Sequence, residues 1–244
     1  MTGIILAAGK SKRMDSNLPK VLLPLNGKPL LSYVLKTAQA SGLNRILVVV
    51  GRRHAQVKRT FANAKVEFVL QNRLLGTADA VKTCEKLLSV EEEIMVFCGD
   101  TPLLTSQTVE KLLDIHKQEQ ADATLLTTIL DNPYGYGRIV RDGNNQIKAI
   151  VEEKEANSEI KKIKEINSGA YVFHLQRLTP ILNQLKPSQI SGEYYLTDAI
   201  AAMKQTGAKI AAYIAPDSSE ILGVNTPEEF KTVAKILAKR NEEN

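Results

Sequence analysis

A strand-like apolar run, Ile4 to Ala8, opens into Gly9 and then into a loop carrying Lys10, Lys12, Arg13 and, after Pro19, Lys20. Glycine lets backbone approach an anion, loop amides turn inward and cations offset charge, so this order of residues suits several phosphates at once. Arg13 and Lys20 lie seven residues apart around a proline-containing loop and are the candidate phosphate clamps. Pro19 pushes Leu18 toward extended geometry, which holds Lys20 out over the sheet edge. The Gly9-Lys10-Ser11 triplet does not make a P-loop, because Gly3 and Gly9 are separated by five residues instead of four. A P-loop ATPase or GTPase is therefore set aside.

Asp100 follows the apolar run Ile94–Cys98 directly, in CGDTPLL. A carboxylate there suits Mg²⁺, which takes one or two carboxylates beside phosphate oxygens and water. It stands too far ahead of Thr105 to cap the helix expected there. Asn225, in GVNTPEE, offers a second hard oxygen, although Thr226, Pro227 and Glu229 also spell an ordinary helix start. Gln71 ends a strand-like run, and its amide presents one donor and one acceptor to the edge of a pyrimidine. Rotating that amide suits uracil and cytosine equally. Gly76 and Thr77 open the next helix, whose start could contact base, ribose or phosphate, while Thr77 equally suits a cap. Gly135, Gly137, Glu152 and the trio Asn167–Ser168–Gly169 form a polar set suited to sugar hydroxyls, or simply to turns. His54, His116 and His174 are scattered and pair with no Cys or carboxylate at metal-ligand spacing. No Ser–His–Asp set can be argued.

The elements that must position these residues alternate. Strands are expected at Gly3–Ala8, Arg45–Val50, Val66–Leu70, Ile94–Cys98 and Ala123–Ile129. Between them, helices are expected from Leu31 through Ala38 and at His54–Phe61, Thr77–Leu88 and Thr105–Gln118. This alternation indicates an α/β fold with a largely parallel sheet, which binds ligands at the carboxyl ends of its strands. From Asp131 the rhythm changes to a hairpin around the Asp142–Asn145 turn, a polar stretch from Glu152 to Lys164, and a strand at Asn167–His174. Helices at Leu178–Leu185 and Leu196–Lys204, a strand at Lys209–Ile214 and a closing amphipathic helix at Pro227–Lys239 complete the pattern. We expect one domain over 1–244, with a nucleotide-binding half at 1–130, a sugar-binding half at 131–226 and a terminal helix at 227–244.

Composition narrows the partners. The 244 residues are 43% hydrophobic, enough for a sizeable core, and the longest apolar runs are strand-length, far short of a membrane span. Residues 1–20 show no signal-peptide pattern, and Cys84 and Cys98 form no CxxC pair, so a cytoplasmic protein without a disulfide scaffold or membrane partner is expected. The net charge of +5 is dispersed, with no Trp and no interleaving of aromatic and basic residues, so no nucleic-acid partner is expected.

Taken in order, LAAGKSKRM, LPKVL, LQNRLLGTADAV, CGDTPLL, YGYGRIV, IVEEKEA, EINSGAYVF, GEYYLTD and GVNTPEEF resemble the motifs of sugar-1-phosphate nucleotidyltransferases. They are most like the uridyltransferase domain of bacterial N-acetylglucosamine-1-phosphate uridyltransferases, over nearly the whole chain. The resemblance implies a Rossmann-like three-layer α/β/α fold with a mostly parallel mixed sheet and a small β-rich sugar-binding insertion. It implies Mg²⁺-dependent transfer of UMP from UTP to N-acetylglucosamine 1-phosphate, with pyrophosphate leaving in line. By the same resemblance Arg13 and Lys20 would hold the triphosphate, while Gln71 and Gly76 would contact uracil. Leu6, Ala7, Ala8 and Gly9 would lend backbone to the nucleotide. Asp100 and Asn225 would bind the metal, and Gly137, Glu152 and Asn167, with Thr77 nearby, would hold the sugar. Two departures stand out. The family loop usually reads GKGTRM, where this chain has Ser11 and Lys12, and a Tyr commonly precedes Gly-Asp, where this chain has Cys98. Another pair of substrates (glucose 1-phosphate, CTP or dTTP) and a catalytically silent nucleotide-sugar-binding regulator are the alternatives. Larger family members append a β-helix that carries their main trimer contact and has no counterpart in these residues, so a monomer or weak homodimer is expected.

Overall fold

The computed structural model describes residues 1–9 and 18–242. In chain order its elements are β1 (Thr2–Ala7), the short strands β2 (Pro24–Leu25) and β3 (Lys28–Pro29), α1 (Leu30–Ala40), β4 (Arg45–Val50), α2 (His54–Thr60) and β5 (Glu67–Leu70). There follow α3 (Thr77–Lys82), β6 (Glu93–Cys98), α4 (Ser106–Glu119), β7 (Ala123–Ile129), β8 (Arg138–Arg141), β9 (Ile147–Val151) and α5 (Ser158–Lys161). The chain closes with β10 (Glu165–His174), α6 (Leu175–Gln184), α7 (Leu196–Gln205), β11 (Ile210–Ile214) and α8 (Pro227–Glu242).

The central sheet runs β11-β7-β10-β6-β1-β4-β5, with β8 added on β10 and β9 on β8. Pairings of β1 with β4 and β6, of β4 with β5, and of β11 with β7 are parallel. β10 runs antiparallel to both β6 and β7 and makes the sheet mixed. Both faces are covered, which is why the strands read as continuous apolar runs. Along β1, Ile4 joins the layer of α3, α6 and α7 (Val81, Leu178, Ile200), and Ile5 joins that of α1 and α4 (Leu31, Leu35, Val109). A third apolar group, Leu25, Leu30, Leu103, Val224, Val233 and Leu237, seats α8 on the β2–β3 hairpin. The architecture is the expected three-layer α/β/α fold with a β8–β9 hairpin at one side.

Several boundaries differ from the sequence reading, and one helix is added to it. The helix expected over Thr77–Leu88 stops at Lys82, and a 3₁₀ turn follows at Glu85–Leu87. Thr83 turns its hydroxyl back onto the Asp79 carbonyl at 2.8 Å, a bond that competes with regular helix. The polar stretch 152–164 contains the one-turn α5, whose first turn is capped by the Asn157 side chain accepting from the Ile160 amide. α6 begins at Leu175 rather than Leu178, because the Leu175 amide bonds the Glu92 carbonyl and turns the chain straight out of β10.

Candidate active site

β1 continues to β4 and β5 on one side, while β6 lies on the other, so the strand order reverses at β1. The crevice at the carboxyl ends of β1 and β6 is the switch point at which such sheets bind ligands. Backbone packs tightly there. A Cβ on Gly51 would stand 2.9 Å from the Ala8 carbonyl oxygen, and one on Gly99 2.9 Å from that of Leu6. Leu6 and Ala7 end β1, Ala8 follows half-buried and Gly9 is exposed at the rim. Arg13, with the rest of 10–17, lies outside the described residues.

Lys20, Asp100 and Asn225 meet in this crevice. The Lys20 ammonium pairs with the Asp100 carboxylate and donates to Asn225 Oδ1 at 2.9 Å. The Lys20 and Asp100 side chains are 13% and 22% exposed, which limits solvent screening of the pair. Lys20 sits in a short 3₁₀ turn after Pro19, whose ψ of 136° is extended. Asp100 is not a helix cap, since the Thr105 hydroxyl accepts from Thr108 N and caps α4 itself. Asn225 stands at the ordinary helix start that its sequence context offered. Glu229 Oε2 accepts from the Asn225 and Thr226 amides, and Thr226 Oγ1 accepts from Glu229 N, a capping box that starts α8. That frees the Asn225 side chain to face Lys20. The Val224 amide bonds the Asp100 carbonyl at 2.9 Å and ties the two loops together.

Gln71 is 3% exposed and does not rotate freely, contrary to the expectation. Its Nε2 donates to the Gly76 carbonyl at 3.1 Å and to Asp79 Oδ2 at 2.7 Å. A carbonyl and an ionised carboxylate only accept, so the amide is fixed with Oε1 left over as an acceptor. Thr77 does not cap its own helix, whose cap position is Gly76 with no side-chain bond. Its hydroxyl accepts from the Leu196 amide at 2.9 Å and caps the first turn of α7, 119 residues away.

Gly137, Glu152 and Asn167 come together as expected. A Cβ on Gly137 would lie 3.6 Å from both Asn167 Cβ and Glu152 Oε2, and the Asn167 amide bonds the Gly137 carbonyl. Burial raises the Glu152 carboxyl above its ordinary range, against the pull of Thr197, whose hydroxyl donates to it at 2.8 Å. The β10–β7 register slips between Asn167 and Tyr171, and this bulge re-aims Asn167. Asn167 Nδ2 donates to the Tyr171 hydroxyl at 2.6 Å. Cys98 lies beneath the bulge, its Sγ 3.5 Å from the Gly169 carbonyl, where a Cβ on Gly169 would come within 2.4 Å of the sulfur. Burial, then the charge of Asp100, pushes its thiol up to about 12.

Sequence reasoning missed Asp79, Tyr136, Tyr171 and Thr197. Tyr136, half-buried, is held by the backbone of Gly223 beside Asp100, joining the YGYG segment to the GVN loop. All four lie inside motifs already quoted, Asp79 and Tyr171 in the same motifs as their partners Gln71 and Asn167, but the residue pattern alone does not show which side chains meet.

The sequence profile described as "MobA-like NTP transferase domain" matches residues 3–163. The chain is 40% identical over 240 residues to "Bifunctional protein GlmU" of Caldanaerobacter subterraneus, covering 98% of this chain and 52% of that protein. It is 43% identical over 242 residues to the protein of the same name from Exiguobacterium sibiricum, covering 99% and 54%. The chain thus spans about half the length of the curated relatives it matches. The crystal structure of UDP-glucose pyrophosphorylase complexed with UDP-glucose superposes with a TM-score of 0.79 at 19% identity, covering 98% of each chain, and shares the fold. No helix among the described residues is long and apolar enough to cross a membrane.

Proposed function

Because the chain belongs to the MobA-like NTP transferase family, we propose that it transfers UMP from UTP to N-acetylglucosamine 1-phosphate. A phosphate oxygen of the sugar phosphate attacks the α-phosphorus of UTP in line. The bond from that phosphorus to the β-phosphate oxygen breaks, pyrophosphate takes the electron pair, and UDP-N-acetylglucosamine is the product. The observation that carries this reading is the meeting of Lys20, Asp100 and Asn225 at the switch point. A carboxylate and an amide oxygen converge there on one cationic group, a hard-oxygen pair that fits Mg²⁺. Asp100 and Asn225 would hold the ion, which when bound supplies charge neutralisation to the triphosphate. Lys20 then exchanges its carboxylate partner for phosphate oxygens and offsets the charge of the departing pyrophosphate. Gln71 positions the base, while Glu152 and Asn167 orient the sugar, so that positioning and charge supply the catalysis without a covalent intermediate. Arg13 is proposed to assist Lys20, on the strength of the family resemblance alone.

The test is pyrophosphate release from UTP and N-acetylglucosamine 1-phosphate. Lys20→Ala and Asp100→Asn should each lower kcat on the order of a hundredfold or more, and removing divalent cations should abolish turnover. Near-normal turnover in either variant removes that residue from the reaction. Tight binding of the UDP-sugar with no pyrophosphate formed identifies a regulator instead. One observation favours a second sugar phosphate. Cys98 is folded under Gly169 where related enzymes commonly have a tyrosine near the sugar, so glucose 1-phosphate belongs in the same assay.

A further inference from the structure

Two of the three histidines scattered through the sequence, His116 and His174, meet in space. Glu93 begins β6, His116 is in the last turn of α4, and His174 ends β10 directly opposite Glu93. Glu93 Oε1 stands 3.3 Å from His174 Nε2 and 3.6 Å from His116 Nε2, and one donor atom from each residue lies within 4.8 Å of the other two. The two imidazole centroids are 5.4 Å apart. The His116 side chain is 1% exposed, and its Nε2 makes no hydrogen bond. Its Nδ1 lies 2.7 Å from the Thr124 hydroxyl. With Nδ1–H donating to that hydroxyl, the Nε2 lone pair has no proton to accept and faces a carboxylate and a second imidazole. Leaving a buried polar atom unbonded is costly, so a ligand for it is the economical explanation.

We propose that Glu93, His116 and His174 form a binding site for a zinc-class divalent transition ion. Bonds of about 2.0–2.1 Å to a tetrahedral ion put its ligands about 3.4 Å apart, between the two carboxylate–imidazole distances here. Two imidazoles and one carboxylate select such ions over Mg²⁺. His174 and Glu93 reach solvent, at 41% and 29% exposed, so an ion has an access path and a fourth position for water. Thr124 is a positioning residue that fixes the His116 ring, as partners of metal-bound histidines commonly do. Asp122 also faces the cluster, its carbonyl accepting from the His174 amide, while its carboxylate accepts from Arg177 and from the Lys209 amide. Glu93 and Asp100 flank opposite ends of β6, about 20 Å apart at strand rise. The site is therefore separate from the crevice that holds Lys20 and independent of the proposed activity. An ion there would clip together β6, α4 and β10.

The experiment strips the full chain with a chelator and titrates it with Zn²⁺ by calorimetry and with Co²⁺ by visible absorption. One Zn²⁺ per chain is expected, with the strong visible bands of four-coordinate Co²⁺ and a rise in Tm on saturation. His174→Ala and Glu93→Gln should weaken binding at least about a hundredfold, and Thr124→Val about ten- to a hundredfold. His174 is partly exposed, so His174→Ala should keep the Tm of the metal-free protein and report on the ligand alone. Asp100→Asn should bind Zn²⁺ as the parent does. Absence of stoichiometric binding, binding unchanged in His174→Ala, or binding lost in Asp100→Asn would each overturn the proposal and leave a bare histidine–glutamate contact.

Discussion

Glu152 and Glu153 are neighbours with opposite environments. Glu153 accepts from the buried Arg138 at 2.7 Å and from the Gly135 amide, which hold its carboxyl below the ordinary range even though burial pulls the other way. Among the described residues Glu152 accepts from the Thr197 hydroxyl, and burial raises it. A carboxyl raised in the folded state contributes stability fully present below its unfolded pKa and lost as pH rises through the folded value. Glu152→Gln removes that loss. The variant should melt above the parent at pH 8, with the difference vanishing toward pH 4. If Glu152 also binds the sugar, the same change should raise the KM for the sugar phosphate about tenfold or more and leave the KM for UTP alone. A melting difference that does not change with pH would show the burial argument to be wrong. The companion test concerns Asp79, which fixes the Gln71 amide only because a carboxylate cannot donate. Asp79→Asn removes the shorter of the two contacts that fix the amide, leaving the Gly76 carbonyl at 3.1 Å to hold it alone, and so weakens its preference for one orientation. The preference for UTP over CTP, as a ratio of kcat/KM, should fall about tenfold, and an unchanged ratio would take Asp79 out of base selection.

At the scale of elements, the start of α3 is a junction rather than a helix end. Gly76 has φ +123°, and a Cβ there would stand 2.3 Å from the Tyr194 carbonyl oxygen and 2.7 Å from its nitrogen. The segment cannot move away, because the Tyr194 amide bonds Leu75 O, the Ala78 amide bonds Tyr194 O, and Thr77 caps Leu196. Gly76→Ala should therefore cost about 2–3 kcal/mol or more in urea unfolding, beyond the usual cost of an alanine at positive φ. A loss under 1 kcal/mol would mean the junction is soft. This junction also marks where the sequence stops being informative. Periodicity and turn residues reveal β4 and β7 to the residue, and they place Asp100 and Gln71 at strand ends, because those signals are local. The Thr77 cap on α7, the bulge under Asn167 and the Glu93–His116–His174 cluster depend on strands pairing across tens to hundreds of residues. Nothing in a local window encodes which distant backbone a side chain will meet.

Across the whole molecule, the crevice is assembled from both ends of the chain. Lys20 and Asn225 are 205 residues apart, and α8 is what returns Asn225 to the β1 exit. Val233 and Leu237 of α8 pack on Leu25, Leu30 and Leu103, and Arg240 donates to the Leu103 carbonyl at 2.7 Å. Leu103 follows Asp100 by three residues, so the same packing steadies both oxygens proposed for the metal. Leu237→Ala should thus act twice. It should lower stability by about 2–4 kcal/mol, as a truncated core leucine does. It should also raise the Mg²⁺ concentration for half-maximal turnover severalfold, with the KM for the sugar phosphate unchanged. Leu178→Ala, fully buried between α6 and the sheet, is the control. It should cost comparable stability without moving the Mg²⁺ requirement, because the apolar cluster on that face of the sheet includes no residue of the Asp100 loop or of α8. If the two variants shift the Mg²⁺ response equally, the effect is general loosening, and α8 does not position the metal ligands.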